Sequence, residues 1–170
     1  MIFFRIDLNI KHGLGHYMRI KSLIRYLDIK KYKIVIDKLP SGSFFKEEKK
    51  NIISLYESNN YFINEKDDAS FFLKKIKDKN NSAVVVKDSY RLGYIWEKHI
   101  YKHFKKVISI DDLLEDKHFV DIYINHSPSF LNKNEEFLKK FKSKNKRNCT
   151  FLLGPDYALF NSSYNKKEKI

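Results

Sequence analysis

Between the first apolar run and the first helix-like stretch lies Asn9-Ile10-Lys11-His12-Gly13-Leu14-Gly15-His16, a loop whose residue types could do chemistry. Gly13 and Gly15 let the backbone turn tightly and approach a ligand without a Cβ in the way. Free N–H groups at the start of the following helix, with the positive end of its dipole, suit a phosphate or a developing oxyanion. Arg19 stands one turn beyond His16. An imidazole titrates near neutrality, so His16 can take a proton from water or hold a water in line. The loop has only part of a nucleotide fingerprint. It lacks the third glycine of G-x-G-x-x-G, and no G-x-x-x-x-G-K-S/T loop occurs in the chain. Taken alone, it reads equally as a glycine-rich turn carrying an incidental surface histidine.

The elements that must position this loop alternate along the chain. Strands are predicted at Ile2–Ile6, Tyr32–Ile36, Ile53–Tyr56, Ala83–Lys87, Val107–Ile110, Asp121–Asn125 and Thr150–Leu153. Helices are predicted at Leu14–Leu27, Ser43–Ile52, Asp67–Lys77, Gly93–Phe104 and Asn134–Lys142, where apolar residues recur at helical spacing. Such alternation predicts an α/β fold: a Rossmann-like, doubly wound parallel sheet with helices on both faces. In that architecture ligands gather outside the carboxyl ends of the strands. The polar residues following strand ends are Asp7, Asp37, Asp88, Asp111, Asp112 and Asn125, and these are the ones expected to frame a site.

Bulk properties narrow the classes. A chain of 170 residues, 42% hydrophobic and 15% aromatic, has enough apolar material for a single core. There is no run of about 18 apolar residues, so no membrane partner is expected. The start of the chain lacks the basic lead and small-residue cleavage site of a signal peptide. The single cysteine, Cys149, fits a reducing compartment and reads as a buried structural thiol, so a cytoplasmic location is expected. The net charge is +13, yet only five of the 34 basic residues are arginine, and the lysines are scattered. Base and phosphate readers lean on arginine's planar fork, so the charge reads as solvated surface and no nucleic-acid partner is expected.

Other candidates have plainer readings. His99 and His103, four apart, have the spacing of two zinc ligands but lack a placed third partner, so they read as surface or packing histidines. His12 lies beside the glycine loop, within reach of a ligand. His118 and His126 read as loop residues, with His126 following Asn125 toward the presumed cleft. Asp111 and Asp112 are open between binding a metal or ribose and capping the next turn. Tyr94, Trp96 and Tyr101 read as packing residues.

An ordered set of motifs goes further. It comprises Arg5-Ile6-Asp7, Gly13-x-Gly15-His16-x-x-Arg19, Asp88-Ser89-Tyr90, Ile110-Asp111-Asp112-Leu113, Asp121-Ile122-x-Ile124-Asn125 and Gly154-Pro155-x-Tyr157-Ala158-Leu159. This set resembles the UDP-2,4-diacetamido-2,4,6-trideoxy-β-L-altropyranose hydrolases of pseudaminic (nonulosonic) acid biosynthesis. The resemblance runs from Met1 to about Phe160. It implies the N-terminal domain of a GT-B fold, akin to the glycosyltransferase that makes lipid II, spanning residues 1–160 with 161–170 as a polar tail or linker stub. It implies hydrolysis of a UDP-sugar to UDP and a free 2,4-diacetamido sugar without a cofactor or metal. By the same carry-over His16 is the catalytic residue that orients or activates water. Asp7, Gly13, Gly15, Arg19, Asp88, Tyr90 and Asn125 then fall at substrate-binding positions.

The match fades after Leu159, where family members continue into a second, nucleotide-binding domain. That domain is absent from this sequence, so a separate C-terminal-domain polypeptide is an expected partner and little turnover is expected without it. The alternatives are the acceptor-binding half of a GT-B glycosyltransferase and a non-catalytic remnant.

Overall fold

In the computed structural model, residues 1–8, 14–39, 45, 48–57, 64–76, 82–113, 117–128, 134–144 and 148–159 are described. Gly13, His12, residues 43, 44, 46 and 47 of the helix expected over 43–52, and the 161–170 tail lie outside them.

Apolar runs such as Phe3-Phe4 and Val84-Val85-Val86 are what strands covered on both faces require, and the chain uses them to build a parallel sheet. Its strands are β1 (Ile2–Ile6), β2 (Tyr32–Ile36), β3 (Ile52–Ser54), β4 (Val84–Asp88), β5 (Lys106–Ile110), β6 (Ile122–Asn125) and β7 (Thr150–Leu153). They lie in the order β3-β2-β1-β4-β5-β6-β7, and every neighbouring pair is parallel. The helices are α1 (Gly15–Tyr26), α2 (Glu65–Lys75), α3 (Tyr94–Ile100) and α4 (Asn134–Lys144). The expected doubly wound α/β architecture is present.

Right-handed crossovers decide which face each helix covers. The chain moves one way from β1 to β2 and the opposite way from β3 onward. Accordingly α1 packs Tyr17, Ile20 and Ile24 on one face with Phe4, Ile6, Ile34 and Ile36. On the other face α2, α3 and α4 bring Phe72, Trp96 and Phe141 onto Phe3, Val85 and Tyr123. Trp96, Tyr123 and Phe141 are fully buried, so Trp96 packs as its helix position predicts.

Local signals account for the helix ends. Asn64 caps α2, its side chain accepting from Asp67 N at 3.0 Å, while Lys74 and Lys75 complement the dipole at the last turn. Of the helix expected over Ser43–Ile52, the described residues are Phe45 and 48–52, where Lys49–Asn51 form a 3-10 turn running directly into β3 at Ile52. Ile52 pairs with Ile34 and Ile53, as expected of a strand, with Val35, so at Ile52 the backbone pairing prevails over the weak helical spacing. The helix expected over Gly93–Phe104 gives way at Tyr101 to a 3-10 turn, which takes His103 off the helical face of His99. Gly154, with φ at +101°, makes the turn out of β7, a backbone region open essentially to glycine.

Candidate functional site

The sheet reverses its winding between β1 and β4, and the crevice of such a fold opens at their carboxyl ends. Asp7 and Asp88 stand there, with Asp7 N donating to Asp88 O at 3.3 Å. α1 begins beside them. Leu14 at its N-cap has no polar side chain to cap the first turn.

His16 is 4% exposed, so it is not a surface residue. Its Nδ1 lies 2.7 Å from Asp88 Oδ1. The Asp88 carboxylate also takes Arg19 bidentately, Nη2 to Oδ1 at 2.6 Å and Nε to Oδ2 at 2.9 Å. Arg19 Nη2 is 3.2 Å from His16 Nδ1 because both groups bind the same oxygen. A carboxylate only accepts, so the hydrogen between His16 and Asp88 belongs to Nδ1. The neutral ring then carries its lone pair on Nε2, the arrangement by which a buried aspartate makes a histidine a general base.

Tyr90 closes one side of this group. Its ring meets His16 edge-on at 4.7 Å between centroids, and its hydroxyl reaches Asp112 Oδ2 at 3.4 Å. Burial, then the charge of Asp112, pushes the Tyr90 phenol up. Asp7 sets the Tyr90 loop. Its Oδ2 accepts from Ser89 Oγ at 2.9 Å and Tyr90 N at 3.0 Å, and its Oδ1 accepts from Arg91 Nη2 at 3.1 Å. Arg19 also donates to Asp112 Oδ2 at 2.7 Å, and Asp112 Oδ1 faces His126 Nδ1 at 3.3 Å.

Thus His16, Arg19, Asp88 and Tyr90 converge, and Asp7 shapes the loop that carries one of them. Asn125 does not join them. It is fully buried, its Nδ2 donates to Tyr123 at 3.3 Å, and its Oδ1 accepts from Ser127 N at 2.9 Å. Gly15 is the first residue of α1, and a Cβ there would meet nothing within 4 Å. Glycine at 15 therefore leaves space beside the site that the fold itself does not need.

The acids after β5 divide their work. Asp111 accepts from Leu113 N at 3.0 Å and from Tyr123 at 2.8 Å, a turn cap and core tie, whereas Asp112 turns to Arg19. Among the described residues no cluster of three or more His, Cys, Asp or Glu residues could hold a metal. Cys149 is half-buried and packs against the main core cluster.

Two buried ion networks flank the site. Arg5, fully buried in β1, donates to Asp37, to Asp68 Oδ2 at 2.5 Å and to Ile6 O at 2.8 Å. Tyr56 and Trp96 also donate to Asp68, each at 2.9 Å. Burial would raise the Asp68 carboxyl, but Arg5, Tyr56 and Trp96 outweigh it and hold it below its usual range. Asp37 occupies the place after β2 where dinucleotide folds put a ribose-binding acid. Here it is taken by Arg5 and by Arg91, whose Nη2 lies 2.9 Å from Asp37 Oδ2.

The second network runs through Lys87, Glu97, His118 and Asp111. Lys87 Nζ lies 2.9 Å and His118 Nδ1 2.8 Å from Glu97 Oε1, and His118 Nε2 lies 3.4 Å from Asp111 Oδ2. Burial pushes Glu97 up, yet Lys87, His118 and the Phe119 N–H hold it down at about 2. Burial pushes His118 down, and hydrogen bonds with Asp111 and Glu97 more than reverse it. His118 reads as a loop residue in the sequence, but it is 1% exposed. A polar cavity of about 60 Å³ lies beside it, bordered by Lys87, Tyr90, Asp111 and His118.

No helix among the described residues is long and apolar enough to cross a membrane. No protein-family model, curated protein or solved structure matches the chain.

Proposed function

We propose that this chain is the sugar-and-water half of a nucleotide-sugar hydrolase, acting on a UDP-linked 2,4-diacetamido-trideoxy sugar. The observation that carries the reading is the His16–Asp88 dyad at the winding reversal of the sheet, where the ordered motifs expect a catalytic histidine. Asp88 fixes the hydrogen on Nδ1, and Nε2 takes a proton from water as the water oxygen bonds to the anomeric carbon. The bond from that carbon to the phosphate oxygen breaks, and UDP leaves with the electron pair. No cofactor or metal is assigned a part.

The charge balance supports a division of labour. Arg5, Arg19 and Arg91, the arginines at this end of the sheet among the described residues, are each held by two carboxylates. Cations already paired with carboxylates are poor diphosphate ligands, so the nucleotide is held chiefly by a second domain or polypeptide. A buried site half of this kind loses the positioning that can supply roughly 7–11 kcal/mol of a barrier.

The test is to combine the chain with a matching nucleotide-binding domain, add the UDP-sugar, and assay UDP and free sugar. General-base catalysis is worth about 10²–10⁴-fold, so His16→Ala should cost at least about 100-fold in turnover. Full turnover in that variant overturns the role of His16. A requirement for an acceptor hydroxyl would make the chain a glycosyltransferase half. Tight UDP binding by the chain alone would overturn the division of labour.

A further inference from the structure

Arg19 places two histidine–carboxylate pairs on adjacent nitrogens of one guanidinium. Nη2 holds Asp88 with His16, and Nη1 holds Asp112, whose other oxygen faces His126. His126, just past the end of β6, is not among the residues that the sequence marks for binding. Neither Asp112 Oδ1 nor His126 Nδ1 has a hydrogen-bond partner among the described residues, although both atoms are buried. They face each other at 3.3 Å. A carboxylate at that edge repels a lone pair, so Nδ1 of the neutral ring carries the hydrogen and Nε2 the lone pair. With its side chain 29% exposed, His126 is far more open than His16 at 4%.

We infer that His126 is a specificity-determining residue of the same site, its Nε2 accepting a hydrogen bond from a hydroxyl or amide N–H of the sugar. The inference rests on the hydrolase reading. The charges favour a neutral amino-sugar group over a phosphate at this point. Asp88 and Asp112 together bring two negative charges against the single positive charge of Arg19, so the chain linking the histidines is net anionic. An anion approaching His126 meets Asp112 at once, whereas a hydroxyl or acetamido N–H finds an acceptor. A site that binds such a donor also rejects analogues lacking it, because its own polar atom would be left unpaired.

The experiment is a titration of the full chain, carrying ¹⁵N-labelled histidine, with the free 2,4-diacetamido sugar and separately with inorganic phosphate. The sugar should shift the ring nitrogens of both His16 and His126 along one binding curve, and phosphate should shift neither. His126→Ala should weaken sugar binding about tenfold with an unchanged thermal melt. His126→Gln, whose amide oxygen can stand where Nε2 stands, should recover most of the loss. A sugar response confined to His16, with His126→Ala binding normally, overturns the assignment and leaves the hydrolase reading intact. A phosphate response at His126 without a sugar response also overturns it. A sugar that moves neither histidine overturns both.

Discussion

Asp88, the last residue of β4, grips the Nδ1 edge of His16 at 2.7 Å across 72 positions of sequence. The same carboxylate anchors the fork of Arg19, so one side chain sets both the histidine's proton and the arginine's direction. Asp88→Asn keeps the shape but offers an amide that can donate where the carboxylate could only accept. Turnover in the assembled hydrolase should fall about 10²–10⁴-fold with little change in KM. Steady-state kinetics on a variant of native circular dichroism checks this, and an unchanged kcat would remove Asp88 from the mechanism.

Arg5 is a structural residue without a place in the chemistry. Arg5→Met strands the Asp68 carboxylate in the core, while Asp37 keeps Arg91, and stranding a buried charge costs about 3–5 kcal/mol. For a chain of this size Tm should drop by about 10 °C or more. Adding Asp68→Asn should recover part of the loss. A melt within about 2 °C of wild type would show that water reaches this network.

Stability should peak in mildly acidic solution. Glu97 and Asp111 are held at about 2 against ordinary values of 4.5 and 3.8, so their contribution exists above those values and is lost as pH falls toward 2. His118 is raised above 6.5, so its contribution is complete below 6.5 and disappears as pH rises through the higher folded value. The two limbs leave a maximum between 4.5 and 6.5. Urea midpoints across pH read it directly. His118→Gln should flatten the alkaline limb and leave the acid limb, where Glu97 still faces Lys87.

Gly15→Ala should separate folding from binding. A methyl group there meets open space, and alanine forms helix at least as readily as glycine. The melt should therefore hold or rise slightly, while affinity for the diacetamido sugar falls. Unchanged affinity would mean that ligand does not approach the backbone at 15.

The sheet was legible because parallel strands buried on both faces read as unbroken apolar runs. Ile2–Ile6, Tyr32–Ile36 and Thr150–Leu153 stand where those runs predict. Ile52 read as the end of a helix, but it pairs with Ile34 of β2 and opens β3. Within the site, His16 and Arg19 share one helix turn and were visible as a pair. Asp112 and His126 were not, because they meet at 3.3 Å from loops after two different strands. His118 shows the same limit. Nothing in Asp116-Lys117-His118 announces burial, and the partners that require it, Glu97 and Asp111, lie elsewhere in the chain.

α1 is the one described helix on its face of the sheet, and it carries both His16 and Arg19. Ile20 and Ile24 are its keel, wedged against Phe4, Ile6 and Ile34. The helix behaves as a lever with its fulcrum in that core and its working end among Asp88, Tyr90 and Asp112. Shaving Ile20 to alanine touches no ligand, yet it lets the lever tilt. The aim of the histidine is thus a mechanical property inherited from aliphatic packing one turn below it.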